Sequence, residues 1–136
     1  MMSRIAGYTL LCLGLLAGAA QAADASSGLF ARPVVLRGTL GEARIQMQLR
    51  PKADPAEGLE GDYIVFGRTG HILLAGETEA DGLLMEESEN GTDVSGQWEG
   101  RQDGASVRGT WQSADGSVSK PFVLKAIDAG ARPAQQ

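Results

Sequence analysis

Short, evenly spaced turn signals constrain this chain more than any other feature of its sequence. Four Asp-Gly or Asn-Gly pairs supply the positive φ angles that tight hairpin turns need. They begin at Asp81, Asn90, Asp103 and Asp115, so 9, 13 and 12 residues separate one pair from the next. That spacing is typical of strands joined by turns and not of helices. The sequence therefore predicts a succession of β-hairpins.

Between these turns and earlier breaks, the pattern predicts eight strands and no long helix after residue 22. Ile45, Met47 and Leu49 alternate with polar residues, as expected of a strand with one buried face. The predicted strands cover residues 34–40, 43–50, 60–68, 71–79, 83–88, 94–101, 105–112 and 118–126. Two of them are apolar on both faces, at 63–66 and 72–75, which predicts a central or loop-covered position.

The predicted fold is all-β, an antiparallel up-and-down meander of about eight strands. A meander of this length closes into a small barrel, stays partly open as a curved sheet, or folds over as a sandwich. We favour a barrel, because closure removes the unpaired edges through which sheets aggregate. Glycines inside the strands fit strong bending of the sheet; they are Gly38, Gly61, Gly76, Gly96, Gly100 and Gly109.

The first 22 residues have the features of a secretory signal peptide. Arg4 provides a positive start, residues 5–20 are uncharged and mostly apolar, and Ala20-Gln21-Ala22 fits a cleavage site. We therefore predict a signal-peptide helix over 1–22, one β-barrel-like domain over 29–127 and a disordered tail over 128–136. The expected location is the periplasm, with secretion as the alternative. Cys12 also allows a lipid-anchor interpretation, although Leu11 and the apolar residues after Cys12 do not fit it.

Composition excludes several classes of function. The net charge is −5, which disfavours nucleic acid and anionic membrane surfaces and suits a basic partner. We expect no stable membrane insertion after cleavage of the signal peptide. The only cysteine, Cys12, leaves with that peptide, so no disulfide or cysteine-based metal site is expected. We expect no cofactor and no metal.

The sequence offers little material for catalysis. His71 is the only histidine, and it lies at a predicted turn. No serine lies in a G-x-S-x-G elbow, and zinc would need more histidine or cysteine ligands. Paired carboxylates of the kind that hydrolyse glycosidic bonds stay open, but acids are too frequent for one pair to stand out. We therefore expect a protein that is not an enzyme.

A G-x-W unit occurs on two consecutive predicted strands, at Gly96-Gln97-Trp98 and Gly109-Thr110-Trp111. With Pro121-Phe122-Val123-Leu124 it resembles a pattern in small exported bacterial all-β proteins of unassigned function. The resemblance covers about half of the chain and implies a fold more than an activity. G-x-W is also found in lipocalins and avidins, but on the first strand, so the likeness extends to shape alone. The tryptophans fill one end of the barrel, with glycines making room, or they line a ligand pocket with Tyr63.

Acidic residues are concentrated between Glu77 and Asp93, where seven acids occur without a lysine or arginine. The structural interpretation is a solvated surface that keeps the sheet soluble. The functional interpretation is a face for a basic partner, formed by Glu77, Glu79, Glu86, Glu87 and Glu89.

Two functions follow from these observations. The first is an exported, non-catalytic β-barrel module that binds an unknown small ligand near Trp98, Trp111 and Tyr63. The alternative is an inhibitor or interaction protein that binds a basic envelope or host protein through the five glutamates named above. Exported lysozyme inhibitors are an analogue of the latter in size, location and charge only.

Overall fold

The computed structural model describes residues 28–127, which form eight strands and one three-residue 3₁₀ helix at Pro55–Glu57. The strands are β1 (Val34–Leu40), β2 (Ala43–Pro51), β3 (Leu59–Val65), β4 (Ile72–Glu79), β5 (Gly82–Ser88), β6 (Gly96–Asp103), β7 (Ser106–Ser113) and β8 (Ser119–Ala126). The predicted signal peptide and tail lie outside the described residues. Within residues 28–127, no helix has the length and apolar character needed to cross a membrane.

The sheet is a closed barrel in which each strand pairs antiparallel with its neighbours in sequence. β8 returns to β1, with Leu36 opposite Ala126 at one limit of the pairing and Leu40 opposite Phe122 at the other. The predicted all-β meander is confirmed, in its closed form. Closure pairs the outer strands with each other, so these eight strands present no free edge to another sheet.

Side chains fill the interior of the barrel. On β2, the predicted inner face of Ile45, Met47 and Leu49 is at most 1% exposed. Interiors of eight-stranded barrels are just wide enough for side chains to fill them. The largest fully buried side chains are Trp98, Phe122, Leu36, Ile45, Met47, Leu49, Leu83, Leu124 and Val107.

The two ends of the barrel are built differently. The first end carries the tight hairpins β4–β5 and β6–β7 and receives the segment before β1. Phe30 from that segment is 4% exposed and joins the core, so it acts as a plug. The second end carries the β1–β2 hairpin and the loops at residues 66–71, 89–95 and 114–118.

Two local expectations differ from the structure. The predicted strand over 94–101 begins later in the structure: β6 starts at Gly96, and Val94 is 41% exposed in the preceding loop. The segments expected to be covered on both faces also have open outer sides. Phe66 and Leu73 are 45% and 48% exposed. These apolar residues lie on the outer surface because the closed barrel buries only its inner layer.

Candidate functional site

The two tryptophans and Tyr63 meet a buried carboxylate inside the barrel. Trp98 and Trp111 are opposite each other on β6 and β7, while Tyr63 comes from β3 and Glu87 from β5. The Tyr63 hydroxyl donates a hydrogen bond of 2.5 Å to Glu87 Oε2, and Trp98 Nε1 donates to the same oxygen at 3.3 Å. Trp111 Nε1 donates to Glu87 Oε1 at 2.9 Å. One carboxylate thus joins four strands.

Gly96 makes room for this cluster. It lies opposite Glu87 across the β5–β6 pairing. A Cβ atom at Gly96 would lie 2.5 Å from both Glu87 Oε1 and Trp111 Nε1, closer than such atoms approach in proteins. The absence of a side chain therefore lets the carboxylate and the indole meet. The interpretation that glycines provide space for the tryptophans agrees with this geometry.

The cluster is complete in its hydrogen bonding. Glu87 is 3% exposed, and three donors reach its two oxygens. Among the described residues, no buried side-chain nitrogen or oxygen lacks a partner. Burial raises the pKa of Tyr63, and the hydrogen bond to Glu87 and the charge of Glu87 raise it further. The tyrosine is therefore held neutral as a donor.

Trp98 occupies the centre of the aromatic packing. Its ring meets Tyr63 at 5.2 Å and Phe122 at 5.0 Å between centroids, both in edge-to-face geometry. Such pairs contribute about 0.5–1.5 kcal/mol beyond the area that they bury. Trp111 is only partly buried, and Lys120 Nζ lies 5.5 Å from its ring centroid. Of the predicted ligand-binding residues, Trp111 alone is partly accessible from the second end.

The predicted acidic residues divide between the two sides of the barrel wall. Glu77, Glu79 and Glu86 are exposed on the outer side of β4 and β5, and Glu89 is exposed in the following loop. Glu87 points inward, because successive residues of a strand face opposite sides. Glu87 therefore cannot contribute to a surface for a partner, and the prediction that it does so is wrong.

The outward acids surround an exposed leucine. Leu84 is 52% exposed and lies directly between Glu77 on β4 and Glu99 on β6. We define the acidic face as Glu77, Glu79, Glu86 and Glu99 around Leu84. Two open depressions of about 720 and 1060 Å³ meet here and share Glu77, Leu84 and Glu99 among their lining residues.

Like charges on this face avoid direct pairing. Glu77 faces Leu84 across the β4–β5 pairing, and Glu86 faces Ala75 on β4 and Gln97 on β6. Three basic side chains line the two depressions. Lys52 lines the smaller one, and Arg101 and Arg108 line the larger one, where Arg101 lies 3.7 Å from Asp81.

His71 belongs neither to the cluster around Glu87 nor to the acidic face. Its side chain is 62% exposed, and Nδ1 is 3.1 Å from Asp62 Oδ2. Within residues 28–127, no three His, Cys, Asp or Glu residues are grouped so that they could hold a metal ion.

Sequence reasoning missed the roles of Glu99 and Leu84 on the surface and of Glu87 in the interior. The signal for Glu87 is its spacing from Leu83 and Met85, which share its face of β5. The signal for Leu84 is an apolar residue at an outward position between acidic strands. Comparisons with protein-family models, curated proteins and solved structures found no match to this chain.

Proposed function

We propose that the protein is an exported, non-catalytic binding module that captures a cationic protein on its acidic face. The observation that carries the proposal is the position of Leu84 between Glu77 and Glu99, exposed at the junction of two depressions. An apolar contact ringed by carboxylates suits a partner that presents an apolar side chain between lysines or arginines.

The filled interior favours an outer site over an inner one. Trp98 and Phe122 are each 1% exposed, and all three donors around Glu87 are already used. A small ligand in the interior would have to displace packed side chains. Even the insertion of extra methylene groups into a well-packed core destabilises a protein by about 1–3 kcal/mol, and a ligand is larger than that. An outer partner requires no such rearrangement.

Charge supports the same choice of partner. On the acidic face the carboxylates have uncharged residues directly opposite them in the sheet, which leaves their charge available to an incoming cation. Long-range attraction of this kind accelerates association and weakens as salt screens it, with a Debye length of about 8 Å at physiological ionic strength.

The proposal can be tested by partner capture from the native compartment. The tagged protein is recovered under mild salt, and the proteins that accompany it are identified by mass spectrometry. The same recovery is made with Glu77→Gln/Glu99→Gln and with Glu42→Gln/Glu57→Gln, which removes two exposed carboxylates elsewhere. Glu87 is left unchanged, because its replacement would disturb the core. The partner is then titrated in purified form by calorimetry.

We expect a basic partner that binds the unmodified protein and the Glu42/Glu57 variant equally well. The Glu77/Glu99 variant should bind it at least 10-fold more weakly, and affinity should fall steeply with salt. Equal binding by all three proteins would contradict the proposal that the acidic face binds the partner. Such a result, with a small-molecule ligand recovered instead, would favour a site at the second end, where Trp111 is partly accessible.

A further inference from the structure

The side of the barrel opposite the acidic face is basic. β8, β1 and β2 are neighbours in the closed sheet, and none of them contains an aspartate or glutamate. Their exposed basic residues include Arg37 on β1, Arg44 on β2 and Lys125 on β8. We call these three residues, with the exposed Phe66 and Val123 beside them, the basic face. A protein with an overall net charge of −5 therefore carries a local surface of opposite sign.

Two of these cations lie directly side by side. Arg37 and Lys125 are opposite residues in the β1–β8 pairing, and like charges in that position destabilise a sheet. Gln46 accepts hydrogen bonds from Arg37 Nε at 3.1 Å and Nη2 at 2.7 Å, which orients the guanidinium without neutralising it. Within residues 28–127, neither Arg37, Arg44 nor Lys125 has a carboxylate within 4.0 Å. Their charge is available to an anion from outside.

The surface around these cations forms a depression and is partly apolar. A depression of about 300 Å³ is lined by Arg37, Thr39, Arg44 and Lys125 among others. Phe66 is 45% exposed, and the Cζ atoms of Arg37 and Arg44 lie 5.9 and 6.0 Å from its ring centroid. Val123, on the strand next to β1, is 50% exposed. Cations interleaved with exposed apolar side chains suit the boundary between lipid headgroups and acyl chains.

We propose that the basic face docks the protein on a membrane surface that contains anionic phospholipids. Arg37, Arg44 and Lys125 bind headgroup phosphates, and Phe66 and Val123 sit at the headgroup level. This is peripheral contact and requires no insertion of the barrel.

The geometry allows both faces to work at once. β1 and β5 lie four strands apart in a ring of eight, so the acidic face points away from the membrane. Two sheet layers alone stand about 10 Å apart, which exceeds the Debye length of about 8 Å at physiological ionic strength. Repulsion between the acidic face and the lipid is therefore largely screened. The inference is independent of the proposed function, since it rests on different residues.

Vesicle sedimentation tests the proposal. The protein, recovered from its native compartment, is mixed at physiological ionic strength, about 0.15 M, with vesicles of equal parts phosphatidylglycerol and phosphatidylcholine, or of phosphatidylcholine alone. The test variant is Arg37→Gln/Lys125→Gln. The control is Lys52→Gln/Arg101→Gln, which removes two basic residues that line the depressions at the acidic face, on the other side of the barrel. Both variants have the same net charge, and circular dichroism checks that both are folded.

We expect binding to the anionic vesicles only, with loss of binding at high salt. Each lysine or arginine at an anionic surface contributes about 1 kcal/mol, so the Arg37/Lys125 variant should partition about 30-fold more weakly. The Lys52/Arg101 variant should partition within about 2-fold of the unmodified protein, because the charges that it removes lie beside the acidic face and away from the lipid.

Three results would overturn the proposal. One is equal binding to the two kinds of vesicle, and another is an equal loss in both double variants, which would show an effect of net charge alone. The third is binding of something other than lipid to the basic face. Binding of inorganic phosphate with no vesicle binding would identify a small-anion site, and a salt-dependent dimer with no vesicle binding would identify a second copy of the chain.

Discussion

Glu87 shows how much one side chain organises the interior of this barrel. It is an acid at 3% exposure, and it accepts hydrogen bonds from Tyr63, Trp98 and Trp111. Those donors come from three strands other than its own. A buried carboxylate is retained in a small core when every partner is present, because a partly satisfied polar network is worse than an apolar one.

Replacing Glu87 by glutamine should destabilise the fold. The amide keeps one acceptor oxygen but turns an NH₂ group toward an indole or hydroxyl donor, so a buried donor loses its acceptor. Such a loss costs about 1–3 kcal/mol. The control is Glu86→Gln, the next residue on β5, which is exposed and should change the free energy of unfolding by less than about 0.5 kcal/mol. Urea unfolding of both variants measures the difference, and equal midpoints would contradict the assignment.

Tyr63 should make the fold sensitive to alkaline pH. Burial raises its pKa in the folded state, and the hydrogen bond and charge of Glu87 add to this. Because the folded pKa lies above the unfolded value of about 10, its contribution to stability is complete below pH ~10. It is lost as the pH rises further, when the unfolded chain releases the proton and the folded chain keeps it.

Between pH 9 and 11, the unmodified protein should lose about 1 kcal/mol more stability than Tyr63→Phe. Urea unfolding at several pH values measures this difference, and the comparison removes the contribution of lysine titration. The sequence has two tyrosines, and Tyr8 lies in the predicted signal peptide, so the absorbance of ionised tyrosine reports Tyr63 in the processed protein. Ionisation near pH 10 without unfolding would contradict this prediction.

At the scale of strands, inward glycines set the curvature of the barrel. The sheet register places six of the seven strand glycines, all except Gly82, opposite other inward residues. Gly109, for example, lies opposite Gly100 and Phe122. A Cβ atom at Gly109 would lie 1.9 Å from the carbonyl oxygen of Glu99. The neighbouring backbones therefore approach more closely than any side chain would allow, and the sheet bends there.

Gly109→Ala should destabilise the protein by at least about 3 kcal/mol, the upper range for overpacking, because backbone atoms cannot rotate away as side chains do. Gly82→Ala is the matched control, since its Cβ would meet only the Glu79 carbonyl oxygen, at 3.2 Å, on an outward position. We expect less than about 1 kcal/mol there. Thermal unfolding followed by circular dichroism compares the two, and similar melting temperatures would refute the role of Gly109.

At the scale of the whole molecule, closure of the barrel places basic and acidic residues on opposite sides. Strands that are far apart in sequence, β8 and β1, become neighbours and bring Arg37 and Lys125 together. The acids of β4, β5 and β6 come to lie on the opposite side. The expectation that the protein avoids anionic membranes rested on its net charge, which averages over both sides. The proposed membrane contact departs from that expectation because a surface responds to the charges that face it.

The sequence by itself determined the strands and their order. Asp-Gly and Asn-Gly pairs fix local turns, and period-2 alternation fixes an inner face wherever polar and apolar residues alternate strictly, as on β2. On β5 the pattern is ambiguous, because Leu83-Leu84 and Glu86-Glu87 each present two similar residues in succession. Only the tertiary structure decided which leucine and which glutamate lie inside, since the choice depends on contacts with Trp98 and Tyr63 from other strands. The two charged faces were decided in the same way, because they depend on which strands the closed barrel makes neighbours.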